Sequence, residues 1–203
     1  MDQLSHDVLT YVATHPNMAV WVIGLTAFAE SFAFVSFFVP GFTVLVAAGA
    51  LVQAGVIDPY SAVAAGCLGA ILGDAFSYMI GQSFGDALPK MWPFRNHPAA
   101  LERGVRFFKA WGWPSVFIGR FLGPLRAFVP LAAGMCRMRA VPFYVANVVS
   151  ALIWAPALLY SGYLIRIAML NGWTLEEKAL AVGTGLAVFV GLAWLARKIF
   201  KAE

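Results

Sequence analysis

The sequence predicts an all-α, polytopic membrane protein that forms a single integral membrane domain over residues 1–203. Of these residues 61% are hydrophobic and only 12% are charged, and the mean hydropathy is +0.78. A soluble domain of this length could not bury so much apolar surface. The net charge of +4 is modest and lies mostly in polar loops, which indicates contact with membrane lipids and argues against a nucleic-acid partner.

The first part of the chain predicts an interfacial helix followed by a broken membrane segment. Residues 1–16 carry apolar residues at helical spacing beside acidic ones, which is typical of a helix lying on the membrane surface. Residues 18–57 are apolar for about forty positions, whereas one membrane span needs only about twenty. We therefore interpret residues 18–38 as a first re-entrant segment and residues 42–57 as the helix that follows it.

The middle of the chain predicts one membrane span and one surface region. Residues 61–84 form an apolar stretch in which small residues recur at spacings that let helices approach closely in lipid. Its small-residue face suits internal packing and a homo-oligomer equally well. Residues 86–112 are rich in Lys and Arg and predict a basic amphipathic region on the cytoplasmic membrane surface.

The last part of the chain predicts a second re-entrant segment at residues 114–134, then transmembrane helices at 142–165 and 179–199. The positive-inside rule places region 86–112 and the basic C-terminus in the cytoplasm, and we expect the N-terminus there too. For the basic stretch Arg137–Arg139 to lie on that side as well, segment 114–134 must enter and leave the bilayer on the same side. Irregular backbone at that depth needs protein or a wet cavity around it.

Four ionisable side chains lie inside apolar stretches, two acidic and two basic, and they are the candidate binding residues: Glu30, Asp74, Arg120 and Arg126. A single Arg at mid-membrane costs from about 2.5 to more than 10 kcal/mol, so these arginines need partners. A backbone break at Gly123-Pro124 would let both guanidinium groups converge. Their planar, five-donor forks suit a phosphate, which they can bind through two parallel hydrogen bonds.

A weak internal repeat connects the two broken segments. Glu30 is followed ten residues later by Pro40, and Arg120 ten residues later by Pro130, and each proline closes a Phe-Val-Pro triplet. Paired broken segments in two halves of a chain are typical of inverted-repeat transporters, so we treat two facing re-entrant segments as a hypothesis. The predicted hinge residues are Pro40, Gly41, Gly123, Pro124 and Pro130.

Two interpretations of the charged residues stay open at this point. In the first, the arginines bind an anionic ligand and the acids change protonation state. In the second, the arginines only pair with Glu30 and Asp74 and stabilise the fold, although buried ion pairs contribute little net stability. Asn147 and Trp154, on one later helix, are interpreted as residues of helix packing and hydrogen bonding.

We expect no catalytic residue, metal or cofactor. His6, His15 and His97 lie outside the predicted spans and share no ligand spacing, and no Ser or Cys has a base beside it within a span. Cys67 and Cys136 lie in or beside apolar segments and predict no disulfide. An enzyme, such as a lipid phosphatase, is therefore disfavoured.

Several motifs resemble the DedA family, whose domain is also called the VTT or SNARE-associated domain. They are Glu30 with Pro40-Gly41, the helix GAILGDAFSYMIGQSFG at 69–85, the stretch FIGRFLGPLRAFVPLAAGMCRM at 117–138, NVVSALIW at 147–154 and Gly162-Tyr163. The resemblance covers about residues 20–165. Two positions depart from the family pattern: Phe42 stands where an acid is usual, and Gln82 where a basic residue is common.

The resemblance implies flipping of a lipid carrier, notably undecaprenyl phosphate, across the bacterial inner membrane, and related eukaryotic members scramble phospholipids. We therefore expect a flippase for a phosphate-bearing lipid, in which Arg120 and Arg126 hold the phosphate while Glu30 and Asp74 balance charge. In the family, the acid usual at the position of Phe42 is linked to proton coupling. In this chain, any proton coupling of transport would therefore depend on Glu30 and Asp74. The alternatives are a small-ion or proton antiporter and a non-transporting membrane-homeostasis factor.

Overall fold

The computed structural model describes residues 16–36, 38–39, 41–85, 87–90, 95, 98–122, 126–172, 174 and 176. Within these residues the chain is helical and has no strand. The helices are α1 (Pro16–Ser31), α2 (Gly41–Gln53), α3 (Pro59–Phe84), α4 (Pro98–Trp111), α5 (Pro114–Gly119), α6 (Phe128–Met135) and α7 (Ala140–Leu170), with a 3₁₀ turn at Leu88–Lys90. The all-α prediction is confirmed for this part of the chain.

Two predicted elements lie outside the described residues. The interfacial helix expected over residues 1–16 falls there except for Pro16, which begins α1, and so does the last span expected over 179–199. Three of the predicted hinge residues also lie outside: Pro40, Gly123 and Pro124. The other two lie in first turns of helices, since Gly41 begins α2 and Pro130 is the third residue of α6.

Two of the described helices are long and apolar enough to cross a membrane. They are α3, with 26 residues, and α7, with 31, where about 20 residues suffice for the hydrocarbon core. Their positions agree with the helices predicted at 61–84 and 142–165. Helix α2 is apolar too, but its 13 residues are too few for a full crossing.

Both segments predicted to be broken contain an interruption of the helix. Helix α1 ends at Ser31, and turns occupy the described residues between it and α2. Helix α5 ends at Gly119, and turns at residues 120–122 and 126–127 precede α6. Because of these interruptions, Glu30 lies at the end of α1 and Arg120 directly after α5, and neither lies in the middle of a long helix.

Helix α3 lies at the centre of the fold, where it packs against α1, α6 and α7. Its glycines allow this packing. A Cβ at Gly69 would collide with the carbonyl oxygen of Gly24 in α1, and one at Gly81 would collide with that of Leu131 in α6. Gly73 likewise lies against the backbone of Phe28. These predicted small-residue positions thus serve packing within the chain, because only Gly lets two backbones come this close.

The main apolar core lies between α1, α2, α3 and α7, around Ile23, Leu45, Ala70 and Trp154. Helices α2 and α7 approach closely in the same way as α3 and its neighbours. A Cβ on Gly162 would collide with the carbonyl oxygen of Val46. The outward faces of α3 and α7 carry exposed apolar side chains that suit contact with lipid: Leu68, Leu72, Met79, Val145, Val149 and Leu152.

Local sequence explains where α3 begins. The carboxylate of Asp58 accepts a hydrogen bond of 2.7 Å from the backbone N–H of Ser61, and Pro59 occupies the first helical turn. This is the usual N-cap arrangement, because it satisfies a donor that has no partner inside the helix. Hydrogen bonding to Ser61 also holds the pKa of the exposed Asp58 carboxyl below its usual 3.8.

Helix α4 lies within the region predicted to be basic and amphipathic. Its buried side carries Leu101 and Gly104, and a Cβ on Gly104 would come within 2.9 Å of the Cβ of Phe128 in α6. The exposed side carries Arg103, Arg106 and Lys109 at intervals of three residues. The basic residues therefore face away from α6.

The two facing glycines of the α1–α3 contact provide a matched test of backbone packing. Gly69→Ala should destabilise the protein by about 1–3 kcal/mol, because its methyl group would meet the α1 backbone. Gly24→Ala should be neutral or stabilising, since its methyl group finds ordinary contacts, 3.5 Å from the carbonyl oxygen of Ala65, and Ala favours helix. Thermal unfolding in detergent measures both. Equal effects of the two substitutions would contradict this packing.

Candidate functional site

The structure brings all four intramembrane ionisable residues to one region of the fold. They come from the end of α1, the middle of α3 and the turns that flank α5 and α6. Asp74, Arg120 and Arg126 are 4%, 3% and 8% exposed, and the side chain of Glu30 is 14% exposed. The arginines are thus withdrawn from both solvent and lipid, as the cost of a charge in hydrocarbon requires.

Arg120 pairs with Asp74 and is held by α7. Its Nη2 donates hydrogen bonds to Asp74 Oδ2 and to Asn147 Oδ1, and its Nε donates one of 2.9 Å to Ser150 Oγ. Its Nη1 is buried and has no partner among the described residues. Because a buried guanidinium nitrogen without a partner is costly, this nitrogen is the position from which an anion would be bound.

Arg126 pairs with Glu30 and joins the two interrupted segments. Its Nη1 donates to Glu30 Oε1 at 2.7 Å, and its Nη2 donates to Ser31 Oγ at 2.9 Å. The other oxygen of Glu30, Oε2, is buried without a partner in the described part of the chain. A Cβ on Gly41 would collide with this carboxylate, so the start of α2 lies directly against it.

Trp154 of α7 lies beside both arginines. The guanidinium carbon of Arg126 is 3.9 Å from the centroid of the indole ring, and that of Arg120 is 6.0 Å away. Both distances fall within the range of cation–π attraction. The indole is 5% exposed. Both like charges therefore lie near one aromatic ring, while each has its own carboxylate.

Sequence reasoning missed the part that α7 plays in this site. Asn147, Ser150 and Trp154 are spaced three and four residues apart, so they share one face of the helix. The interpretation of Asn147 as a residue of helix packing and hydrogen bonding is confirmed, because its Nδ2 donates to the carbonyl oxygen of Ile71 in α3; its bond to Arg120 was not predicted. Polar and aromatic residues at helical spacing in an apolar span were the signal that could have identified this face.

Ser77 stabilises the interruption after α1. Its Oγ accepts a hydrogen bond of 3.0 Å from the backbone N–H of Ala33 and donates to the carbonyl oxygen of Gly73, also at 3.0 Å. Ser77 and Ser31 are both fully buried. At membrane depth a backbone N–H freed by a helix end must be satisfied by protein. Ser77 supplies this bond and so positions Glu30 and Ser31, which contact Arg126.

The two positions that depart from the family pattern lie in different surroundings. Phe42, in the first turn of α2, is exposed. Gln82 donates a hydrogen bond of 2.6 Å to the hydroxyl of Tyr78, which in turn donates to the carbonyl oxygen of Met138. Gln82 therefore stabilises the contact between α3 and the turn before α7, and it lies apart from the arginines.

The described part of the chain forms neither a metal-ligand cluster nor a disulfide. Among the residues that the structure describes, no three His, Cys, Asp or Glu side chains cluster closely enough to hold a metal ion. His6, His15 and His97 lie outside the described residues. Cys67 is buried, and both it and Cys136 are free thiols.

Fold and site together define a helical membrane protein whose buried arginines are paired with carboxylates. The chain belongs to the VTT domain family, the DedA family, whose profile matches residues 39–164. This finding confirms the resemblance that the motifs indicated.

Several bacterial relatives show the same membership. The chain is 29% identical over 209 residues to the inner membrane protein YabI of Escherichia coli K12, covering 100% of this chain and 79% of the relative. It is 34% identical over 152 residues to the protein DedA of the same organism, covering 71% and 68%. An uncharacterized membrane protein of Mycobacterium bovis, Mb2670, is 34% identical over 146 residues, covering 69% and 66%. None of the solved structures matches this chain.

Removing the hydroxyl of Ser77 tests its role at the interruption. Ser77→Ala should lower the free energy of unfolding by about 1–3 kcal/mol, because the buried N–H of Ala33 loses its acceptor. Ser161→Ala is the matched control, since among the described residues the hydroxyl of Ser161 bonds only to a carbonyl of its own helix. Thermal unfolding of the two variants in detergent gives the comparison. A Ser77→Ala variant as stable as Ser161→Ala would contradict this role.

Proposed function

We propose that this protein moves a phosphate-bearing lipid, undecaprenyl phosphate or a phospholipid, across the bacterial inner membrane. Arg120 and Arg126 bind the phosphate, and Glu30 and Asp74 balance the arginine charges while the site is empty. Family membership supports this proposal, and so does its similarity to YabI, an inner membrane protein. The lipid is moved without chemical change, and no cofactor takes part.

The observation that carries the proposal is the free nitrogen of Arg120. This side chain is 3% exposed, three of its hydrogen bonds go to protein, and Nη1 faces no partner among the residues described. A purely structural arginine would be expected to have all its donors satisfied. A phosphate oxygen at Nη1 would complete the set with a charge-assisted hydrogen bond.

The charges of the cluster fit a site that exchanges partners. With both acids ionised, the two arginines and two carboxylates sum to zero, so the empty site is neutral within the bilayer. A phosphate can replace a carboxylate as the partner of an arginine. Glu30 is the carboxylate we assign to this exchange, because it is the more exposed acid and lies at the end of a short helix, whereas Asp74 lies within continuous α3.

This exchange connects phosphate binding to movement of the two interrupted segments. We propose that residues 18–38 and 114–134 are re-entrant and related as an inverted repeat, with both termini in the cytoplasm. The Arg126–Glu30 bond supports this arrangement, since it joins residues 96 positions apart at the two interruptions. When phosphate takes the place of Glu30, that bond is released and one segment is free to move against the other. Any proton coupling would act through Glu30 or Asp74.

Conservative replacement of each arginine tests the proposal. In liposomes that contain the purified protein, Arg120→Lys and Arg126→Lys should each slow the movement of labelled undecaprenyl phosphate by about tenfold or more. The charge remains, but the planar fork and at least one charge-assisted hydrogen bond are lost. Arg103→Lys, on the exposed face of α4, is the matched control and should keep the wild-type rate. Phospholipid in place of undecaprenyl phosphate identifies which lipid is moved.

Wild-type rates in both arginine variants would refute the phosphate-binding role. A normal unfolding temperature for each variant in detergent shows that a lost activity is not a lost fold. Ion flux in the same liposomes without lipid movement would favour the alternative function, a small-ion or proton antiporter.

A charge swap separates binding from a purely architectural role. Glu30→Arg combined with Arg126→Glu retains an ion pair at the interruption but places a carboxylate against the face of Trp154, where it is repelled. We expect the double variant to be more stable than either single variant and yet inactive in lipid movement. A double variant that moves lipid at the wild-type rate would refute phosphate binding by Arg126 and would leave this ion pair a purely architectural role. Unfolding temperature and lipid movement are measured on the same preparations.

A further inference from the structure

We propose that Trp154 is a positioning residue of the anion site, whose indole ring attracts both guanidinium groups without using any of their N–H donors. This inference rests on the proposed function, because it names how the same site is organised before its ligand arrives. It concerns a residue that the sequence alone indicated only for helix packing.

The indole itself is held in place by the core of the fold. Trp154 is 5% exposed and belongs to the apolar cluster that includes Ile23 and Leu45. The next residue along α7, Ala155, lies against the position where a Cβ on Gly66 would be, at 3.3 Å. The ring is therefore enclosed by the packed core, which provides a surface against which the arginines are placed.

An aromatic face differs from the other partners available to a buried arginine. A carboxylate or amide oxygen accepts N–H groups from the edge of the guanidinium and so uses up the donors that would bind phosphate. A third carboxylate would also make the cluster net negative and repel an anion. The ring face attracts a cation through its quadrupole, adds no charge and uses no hydrogen-bond donor.

The two arginines lie at different distances from the indole ring, and this difference distinguishes their roles. Arg126, with its guanidinium carbon 3.9 Å from the ring centroid, is in direct contact, whereas Arg120 is 6.0 Å away and is held by Asn147 and Ser150. Thus Trp154 would keep Arg126 at the ring that also lies near Arg120, even when the bond between Arg126 and Glu30 is released. The site remains a paired-arginine site throughout the exchange, which fits a phosphate that bridges two guanidinium groups.

Fluorinated tryptophans give a test that a packing role would not satisfy. Tryptophan carrying zero, one, two or three ring fluorines is incorporated at position 154 of the full chain, and binding of farnesyl phosphate is measured by calorimetry in nanodiscs. Fluorine weakens the quadrupole with little change of shape. We expect the dissociation constant to rise stepwise, by about 5- to 30-fold over the series. The same series at the exposed Trp21 should leave binding unchanged.

A second pair of variants distinguishes the aromatic character of the Trp154 side chain from its volume. Trp154→Phe should retain part of the affinity for farnesyl phosphate, whereas Trp154→Leu should lose more, although both remove core volume. A dissociation constant that stays flat across the fluorine series, or equal losses in Phe and Leu variants, would overturn the positioning role.

The proposed function fails by a different outcome. If wild-type protein binds neither farnesyl phosphate nor inorganic phosphate, both proposals fail together. If wild type binds and Arg120→Lys does not, while the fluorine series is flat, only the role of Trp154 is lost.

Discussion

The rest of this structure depends on one constraint, that two arginines inside an apolar chain must be partnered without solvent. A charge in hydrocarbon is tolerated only when protein surrounds it and neutralises it. Here the carboxylates come from α1 and α3, and the neutral acceptors come mainly from α7. The arginines lie where helices end, so that several elements can reach them at once. Helix interruptions, close-packed glycines and the polar face of α7 all serve this arrangement.

The interruptions would themselves be costly in a membrane if nothing satisfied the backbone. Ser77 provides the bond that Ala33 would otherwise lack, and Ser31 contributes its hydroxyl to Arg126. Glycines on α3 then let the short helices approach until such small side chains reach across the interface. The site is therefore built from small residues as much as from charged ones. Although the charges balance, one nitrogen of Arg120 has no hydrogen-bond partner among the described residues, and our proposal of ligand binding rests on this nitrogen.

Much of the fold could be predicted from the sequence, because hydropathy and charge act locally along a membrane chain. The apolar runs located α3 and α7, and the forty-residue run that ends near residue 57 required an interruption, which the structure has after Ser31. Other elements were harder to predict from the sequence. The stretch at 114–134 forms two short helices, α5 and α6, and their arrangement depends on contacts with α3, α4 and α7 rather than on local pattern.

The sequence by itself determined that the protein is helical, that it has membrane-length apolar spans and which four charged residues lie within apolar stretches. Composition decides these properties, since each follows from the cost of moving a residue into lipid. Only the tertiary structure decided which acid pairs with which arginine, and that Trp154 contacts Arg126 and lies near Arg120. Asp74 and Arg120 are 46 positions apart, Glu30 and Arg126 are 96 apart, and no local rule relates them. Helix packing brings them together, because close approach at the glycines determines which faces of α1, α3 and α7 meet.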